Sequence, residues 1–325
     1  MILDNKLSKQ EIIILDGAIG SEIARLGGAM DSAAWCGVAN KTHPEAVRRV
    51  HEEYIRAGAD VVTANTFATN RHVLAGAGLA DEAVSITTMA VELAREAVNN
   101  VAPHRPIAVA GSMSNTVAWI PGTVSPDPRF FPTPAEEIEN YREMAETLAT
   151  AGVDLIVMEM MFDIDRASRA VAAAVETGLP VWIGTSCSLL ADGSVGAWNK
   201  YMEEPADRFA PGDVKQEAKS FAPLIEAMMS FKPQVMGIMH SAIETMDPGL
   251  NALVERWHGP VMAYPETSSQ IRRGVGHSVE PAVFAEHCRD WVEGGVQIIG
   301  GCCGTTIEHI RAMVNELPDA IGARR

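Results

Sequence analysis

The sequence predicts an α/β fold, a (β/α)8 TIM barrel that forms a single domain over residues 1–325, and three observations support this prediction. Short apolar or β-branched runs alternate eight times with longer segments that have the period of an amphipathic helix. The apolar runs lack strict polar alternation, as is expected of parallel strands that are covered on both faces. No Gly-x-Gly-x-x-Gly turn follows the first run, which disfavours a doubly wound dinucleotide-binding sheet.

Eight strands are predicted in order, each followed by a helical segment. The strand candidates are the runs at residues 12–17, 60–65, 106–112, 154–160, 180–186, 233–240, 260–266 and 296–301. Several of the helical segments open with Pro or Asp and close with Gly, which are common start and stop signals. One helix per crossover is the connection that parallel strands require.

Two connections are much longer than the others. Residues 115–134 follow the third strand and residues 188–213 follow the fifth, and neither has a regular period. Loops of this length in a compact domain are usually functional or disordered. Both carry aromatic side chains, which are Trp119, Phe130, Phe131, Trp198 and Tyr201. We therefore predict ordered walls over a pocket, with simple packing on the barrel rim as the alternative.

Composition and charge exclude several classes of function. An apolar fraction of 47% and a net charge of −16 indicate an acidic globular protein, which disfavours nucleic acid or an anionic membrane as a partner. The N-terminal residues are not a signal peptide, because they include acidic residues and lack a long apolar core. Five cysteines, an odd number, indicate free thiols or metal ligands in a reducing compartment, and we predict a cytoplasmic protein.

Polar side chains stand at the carboxyl ends of the predicted strands, where barrel enzymes place their chemistry. Reading these ends in order gives Asp16, Asn65, Ser112, Glu159, Ser186, His240, Glu266 and the Cys302–Cys303 pair. Two thiols and one imidazole that converge on one mouth match a catalytic zinc site with three protein ligands and an open fourth position.

The assignment of these ligands leaves alternatives open. Cys302 and Cys303 lie between glycines, which relax the backbone enough for both sulfurs to reach one ion, but buried cysteine is also a common packing residue. His240 could hydrogen-bond a neighbouring loop rather than bind metal. Cys36 is adjacent to Trp35 and is a spare ligand candidate.

Two carboxylates are candidate substrate-binding groups. Glu159 ends a very apolar strand, where a carboxylate is costly unless it meets a cation or hydrogen-bond donors. A substrate amino group is one such partner, and an arginine or a backbone amide of the protein is the other. Asp16 lies in a glycine-bounded turn that a ligand could approach closely, although an ordinary turn cap would have the same local sequence.

Four blocks of the chain resemble the homocysteine S-methyltransferases. They are ILDGAIGSEI at 14–23, HPEAVRRVHEEYIRAGADVVTANTF at 43–67, GVDLIVMEMMFDIDRA at 152–167 and VFAEHCRDWVEGGVQIIGGCCGTTIEHI at 283–310. The resemblance runs over essentially the whole chain, and the last block is highly specific. It implies a zinc-dependent barrel that methylates homocysteine. The donors used in this family include S-methylmethionine, S-adenosylmethionine, betaine and, in larger relatives, methylcobalamin.

The resemblance also implies roles for individual residues. Cys302 and Cys303 match two of the three zinc cysteines of the family. Asp16 and Glu159 match the carboxylates that hold the amino group of homocysteine.

Two aromatic residues match the donor side of the family's site. Trp35 stands eight residues before His43, the spacing of a donor-binding tryptophan in the betaine branch, and Phe67 matches an aromatic residue there. An aromatic wall suits a methylated cation, although Trp35 could simply pack on the rim.

Three positions depart from the family pattern. The sixth strand ends in GIMH instead of Gly-Val-Asn-Cys, so His240 replaces the third zinc cysteine and Met239 replaces the asparagine. The seventh reads YPETSSQ instead of Tyr-Pro-Asn-Ser-Gly-Glu, and Ala68 stands where the betaine branch has a tyrosine. These departures disfavour betaine as the donor.

The predicted reaction is zinc-dependent transfer of a methyl group from a sulfonium, or another methylated cation, to the thiol of homocysteine, giving methionine. The thiolate is the nucleophile, and zinc holds it in that form. Two thiolates and a neutral imidazole leave the Zn2+ site neutral, whereas three thiolates leave it at −1. A thiolate bound to a neutral site is less electron-rich than one bound to a negatively charged site. We therefore expect a good methyl donor such as a sulfonium to be preferred over a quaternary ammonium.

Two other functions remain open. One keeps the fold and the metal but uses a different thiol or selenol acceptor, or a different donor. The other is a non-catalytic metal-binding relative, which the retention of both adjacent cysteines disfavours. The predicted partners are a small-molecule thiol and a methyl donor, with no nucleic acid and no membrane, and a homo-oligomer is left open.

Overall fold

A ring of parallel strands forms the centre of the computed structural model, which describes residues 2–213, 215–268 and 278–322. The ring strands are β1 (Ile13–Ile14), β2 (Val61–Ala64), β3 (Ala108–Ser114), β4 (Leu155–Met161), β5 (Val181–Thr185), β8 (Val235–Ala242), β9 (Val261–Glu266) and β10 (Ile298–Ile299). A short antiparallel hairpin, β6 (Cys187–Leu189) with β7 (Val195–Ala197), stands apart from it. Each of the eight predicted strands overlaps one ring strand.

The ring is closed by its first two strands. The hydrogen-bonded order is β1-β10-β9-β8-β5-β4-β3-β2, with every neighbouring pair parallel. A parallel bridge joins Leu15 to Val61, and the Asp60 N–H donates to the Ile14 carbonyl at 2.8 Å. The predicted (β/α)8 barrel is confirmed.

Helices occupy the crossovers on the outside of the barrel. The crossover helices are α4 (Pro44–Ala57), α6 (Ala83–Val101), α7 (Pro134–Ala151), α8 (Ile164–Glu176), α10 (Phe221–Met229), α11 (Ile243–Val254) and α12 (Pro281–Glu293), with α13 (Ile307–Glu316) after the last strand. Shorter helices are α1 (Asp4–Ser8), α2 (Ile19–Arg25), α3 (Ala39–Thr42), α5 (Arg71–Leu74) and α9 (Lys200–Glu203). No helix in the described ranges is long and apolar enough to cross a membrane.

Local sequence explains where the helices beside the candidate site begin. Thr133 and Glu136 form a capping box at the start of α7, and Pro134 occupies its first turn. Asp163 caps α8 by accepting from the backbone N–H of Arg166 at 3.1 Å. These caps fix the points at which the chain leaves the rim after β3 and β4.

The lower part of the barrel is filled by side chains. Val157, Trp182, Met262 and Ile298 are buried together inside the ring, and Leu3 from the N-terminal segment packs against this cluster. Close packing of this kind leaves no channel through the barrel. The large cavity of the described structure lies at the carboxyl ends of the strands. The assignment of residues 1–325 to one domain stays a prediction.

Candidate metal and substrate site

The carboxyl ends of the barrel strands open into a cavity of about 600 Å³. All seven residues that the sequence singled out for the site lie in its wall: Asp16, Trp35, Phe67, Glu159, His240, Cys302 and Cys303. They come from the ends of β1, β2, β4, β8 and β10 and from the loop before α3. Barrel topology thus brings residues that are almost 290 positions apart in the chain to one mouth.

Three of these residues form the one group in the described ranges whose ligand atoms could hold a metal. His240, Cys302 and Cys303 place their ligand atoms within 4.8 Å of one another. The Cys302 Sγ atom lies 3.5 Å from His240 Nδ1 and 3.9 Å from Cys303 Sγ. Tetrahedral zinc with ordinary bond lengths requires ligand separations of about 3.6 Å for sulfur to nitrogen and about 3.8 Å for sulfur to sulfur. The donor set and its spacing therefore fit zinc.

The backbone is strained at His240 and is held by hydrogen bonds at the two cysteines. His240 has a φ of 44°, a left-handed conformation that β-branched and bulky residues rarely adopt, and it lies where the register between β8 and β9 shifts. The Cys302 N–H donates to the Pro265 carbonyl at 2.8 Å, and the Thr267 N–H donates to the Cys303 carbonyl at 2.9 Å. Strained conformations of this kind cluster at functional sites.

The two adjacent thiols differ in acidity. Cys302 donates to Cys303, which raises the pKa of the Cys302 thiol well above its usual range and lowers the pKa of Cys303. The neighbouring imidazole of His240 further lowers the pKa of Cys303. These contacts favour the thiolate form of Cys303, which is the form that binds a metal ion.

Cys36, the spare ligand candidate, does not join this group. Its thiol is buried against Gly20, and burial raises its pKa to about 12. We expect Cys36→Ser to leave the metal-to-protein ratio unchanged, because a protonated thiol outside the cluster is not a ligand. Elemental analysis of the purified variant measures this ratio, and a loss of metal would restore Cys36 as a ligand.

The two candidate carboxylates lie in the wall of the cavity. Asp16 is buried and accepts from the Thr63 N–H at 2.7 Å and the Thr63 hydroxyl at 2.9 Å, so it joins β1 to β2 and is not a turn cap. Glu159 is half-buried and accepts from the Ser112 hydroxyl at 2.5 Å. Neither carboxylate is stabilised by a lysine or arginine in the described part of the chain.

Burial lowers the acidity of both groups. Burial, aided by the nearby charge of Glu159, raises the pKa of Asp16 to about 7 despite the two hydrogen bonds from Thr63, which lower it. Burial likewise raises the pKa of Glu159 to about 7, with the charge of Cys303 acting in the same direction. Two carboxyls with raised pKa values in the wall of one cavity could both be stabilised in their charged forms by an added ammonium group.

Aromatic side chains form two parts of the wall. Trp35 and Phe67 contact edge to face, with ring centroids 5.8 Å apart. Trp198 lies 5.8 Å from the His240 ring and 5.1 Å from Phe162, measured between ring centroids.

The sequence predicted Trp198 only as part of a long loop, and Phe162 was missed. The position of Phe162, three residues after Glu159 on the same strand end, was the signal that could have identified it.

The two long connections are ordered and pack together above the cavity. The Val124 N–H donates to the Arg208 carbonyl at 2.9 Å, and the Ala210 N–H donates to the Ser125 hydroxyl at 3.0 Å. Four of their predicted aromatics line the cavity, namely Trp119, Phe131, Trp198 and Tyr201, while Phe130 is not in its wall. The predicted ordered walls are confirmed for residues 115–134 and for the described part of 188–213.

The departures from the family pattern lie at the same place. Glu266 is buried, and its Oε2 atom lies 3.7 Å from His240 Nδ1. The backbone N–H of Met160 contacts the Met239 sulfur at 2.6 Å. Ser269 and Gln270, at the end of the YPETSSQ block, lie outside the described residues.

Comparison with known proteins identifies related chains. A family model described as "Homocysteine S-methyltransferase" matches residues 13–317. Among solved structures, the metallated form of the Escherichia coli homocysteine methyltransferase MmuM is 20% identical, with a TM-score of 0.71 over 96% of this chain and 99% of that one. Its oxidized form is 21% identical, with a TM-score of 0.72 over 97% and 99% of the two chains. At this identity, the structural likeness supports the barrel fold.

Proposed function

This chain belongs to the homocysteine S-methyltransferase family and is an S-methyltransferase that acts on a thiol, and from that premise we propose that it moves a methyl group from a sulfonium donor to homocysteine. The observation that carries this proposal is the shared cavity, in which two cysteines and a histidine lie together with two carboxyls whose pKa values burial raises, neither of them paired with a lysine or arginine among the described residues. The product of the proposed reaction is methionine. The cytoplasmic location stays a prediction.

We assign the metal site to His240, Cys302 and Cys303 and propose zinc as the ion. A bound zinc ion would lower the pKa of the acceptor thiol, so that the thiol is held as the nucleophilic thiolate at neutral pH. The three side chains would hold the ion in the part of the cavity wall where the Trp198 ring centroid lies 5.8 Å from that of His240.

Asp16 and Glu159 would bind the amino group of homocysteine. An ammonium between the two carboxyls stabilises their charged forms, so it offsets the burial that raises both pKa values to about 7. The hydroxyls of Ser112 and Thr63 hold the carboxylates in place for this contact. Because the amino group and the thiol are then fixed together, the acceptor is oriented before the donor arrives.

The aromatic wall would take the cationic end of the donor. Ring faces attract a methylated cation, and Trp35, Phe67 and Trp198 provide them beside the proposed thiol position.

The imidazole of His240 favours a sulfonium over a quaternary ammonium. A neutral ligand in place of a third thiolate leaves the acceptor thiolate less electron-rich, so a better leaving group is required. We expect His240→Cys to raise the rate with betaine relative to S-methylmethionine by about tenfold, the scale of changes in metal environment. Initial rates with both donors measure the ratio. An unchanged ratio contradicts this assignment, and activity found only in the variant favours the non-catalytic alternative.

The proposed function is tested by incubating the zinc-loaded protein with homocysteine and each candidate donor. Methionine should form fastest with S-methylmethionine or S-adenosylmethionine, as measured by mass spectrometry with a methyl-labelled donor. A faster reaction with betaine would contradict the donor assignment. Transfer to another thiol or to a selenol, with none to homocysteine, would contradict the acceptor assignment.

A further inference from the structure

The segment that carries the two adjacent cysteines lies directly against the turn that carries Asp16. The Gly301 N–H donates to the Asp16 carbonyl at 3.1 Å. A Cβ atom at Gly300 would lie 2.7 Å from the same carbonyl oxygen, so a larger residue there would push the two segments apart. These contacts place two of the proposed metal ligands and one proposed ammonium ligand on neighbouring stretches of backbone from opposite ends of the chain.

The hydroxyl of Thr305 joins these two segments. It accepts from the Ala18 N–H at 3.0 Å and donates to the Cys302 carbonyl at 2.7 Å. Thr305 is fully buried and is not among the residues of the cavity wall. A buried hydroxyl that both accepts and donates holds its two partners at a fixed separation. Thr305 therefore acts on the site through other residues and does not touch a substrate.

The two partners of this hydroxyl are also held by other parts of the barrel. The Tyr54 hydroxyl donates to the Ala18 carbonyl at 2.9 Å, and a Cβ atom at Gly17 would lie 2.7 Å from the Tyr54 oxygen. The Cys302 N–H donates to the Pro265 carbonyl at 2.8 Å. Each segment is thus fixed to its own neighbours, and the threonine hydroxyl is a direct link between them.

An acceptor that is bound at both segments must have a matching length. In the proposed function, Asp16 and Glu159 bind its ammonium group, and the metal binds its thiol. The number of carbon atoms between these two groups must therefore suit the separation of the two parts of the site. One missing or extra methylene group commonly changes kcat/KM by about 10- to 200-fold, and a misplacement of about 1 Å can cost about a hundredfold in rate.

We propose that Thr305 is a positioning residue that sets the chain length of the acceptor, because its hydroxyl fixes the cysteine segment relative to the Asp16 turn. This inference rests on the proposed function, since it assigns a role to the spacing within that same site. The acceptor selected is an α-amino thiol with two methylene groups between its α-carbon and its sulfur. Loss of the hydroxyl removes the partner of the Ala18 N–H, so the turn shifts relative to the cysteines.

The test compares three acceptor thiols in the wild type, Thr305→Val, Thr305→Ser and Thr185→Val. The thiols are cysteine, homocysteine and the homologue of homocysteine with one further methylene group. Thr305→Val removes the hydroxyl at nearly constant volume, whereas Thr305→Ser keeps it. Thr185→Val is the matched control, because Thr185 is also fully buried and donates to a carbonyl, that of Gly237 at 2.9 Å, but joins β5 to β8 instead of these two segments.

Three quantities are measured on the zinc-loaded proteins: calorimetric Kd values for each thiol without a donor, kcat/KM values in turnover, and zinc affinity from competition with a chelator. We expect Thr305→Val to reduce the preference for homocysteine over both homologues by about tenfold or more, in Kd and in kcat/KM. Its zinc affinity should stay near that of the wild type, because the ligand side chains are unchanged and the backbone N–H of residue 305 still donates to the Cys302 carbonyl at 3.0 Å. Thr305→Ser and Thr185→Val should keep the wild-type preference.

The outcomes separate the role of Thr305 from the proposed function. An unchanged preference in Thr305→Val, an equal loss in Thr185→Val, or a loss that Thr305→Ser does not restore overturns the role of Thr305. A fall in zinc affinity in place of a change in preference assigns the hydroxyl to the metal ligands alone and also overturns it.

Failure of the proposed function has a different signature in the same experiment. If the wild type binds homocysteine but transfers no methyl group to it, the proposed function fails, while the Kd values still decide the role of Thr305. If the wild type binds none of the three thiols, both fail. Should Thr305→Val not fold, Thr305→Ala removes the same hydroxyl and carries the same comparison.

Discussion

Replacement of Cys302 or Cys303 by serine is expected to remove the metal and to lower the rate of methyl transfer by more than about a hundredfold. Changing groups that merely support metal ligands costs about 10- to 100-fold, and loss of a ligand itself should cost more. The hydroxyl of serine is a much weaker ligand than a thiolate, which Cys303 is already prepared to supply. Metal content and the initial rate of methionine formation are measured on the same samples.

The matched control for this prediction is Cys288→Ser. Cys288 is fully buried among the side chains of the main core and is not in the cavity wall, so its replacement should keep the metal even if stability falls. Full metal content in both Cys302→Ser and Cys303→Ser would contradict the assigned ligand set. Metal loss in the Cys288 variant as well would indicate a general effect of unfolding.

The second large effect is expected for Glu159→Gln, which should raise the KM for homocysteine by about a hundredfold. The same substitution should also stabilise the metal-free protein above neutral pH. Losing a contact to a charged partner in an enclosed site accounts for an effect of that size. The carboxamide oxygen of the new side chain can still accept from the Ser112 hydroxyl, so the local hydrogen bond is kept. Kinetics with varied homocysteine at saturating donor measure the first effect.

The stability effect follows from the direction of the pKa shift. Because the pKa of Glu159 is raised from 4.5 to about 7, the folded protein binds this proton more tightly than the unfolded chain does. The resulting stabilisation is present below pH 4.5 and is lost as the pH rises through 7. A glutamine side chain does not titrate, so the variant does not lose stability in this way. We expect its midpoint temperature of unfolding to exceed that of the wild type at about pH 8 and to approach it at about pH 5.

Thermal unfolding of the metal-free proteins at both pH values provides the measurement. Glu286→Gln, at an exposed position on α12, is the control and should behave alike at the two pH values. A homocysteine KM that is unchanged by Glu159→Gln would remove this residue from the acceptor site. An equal midpoint for variant and wild type at the higher pH would contradict the raised pKa.

The barrel could be predicted from the sequence because its signals are local. Each ring strand is a short buried run, and each crossover helix has its own start and stop residues, as Thr133 and Pro134 illustrate. Once the fold is known, topology alone brings Asp16, Glu159 and His240 to one end. The hairpin of β6 and β7 was missed, although the Asp192–Gly193 pair at its turn is a recognised hairpin signal.

The finer features of the site depend on contacts between distant segments, for which no local pattern exists. The two long loops meet through Val124 and Arg208, which are more than eighty residues apart. The partner of Asp16 proved to be Thr63 on the next strand, and the partner of Glu159 proved to be the Ser112 hydroxyl rather than an arginine. Sharing of Glu137 by two arginines likewise depends on how α7 packs on α8.

Zinc-edge X-ray absorption with and without homocysteine tests the central claim, that His240, Cys302 and Cys303 hold zinc and present it to the acceptor thiol. The account predicts two sulfur ligands together with lighter ligands in the zinc-loaded protein, rising to three sulfurs when homocysteine is added. A zinc shell that stays unchanged at saturating homocysteine would contradict it.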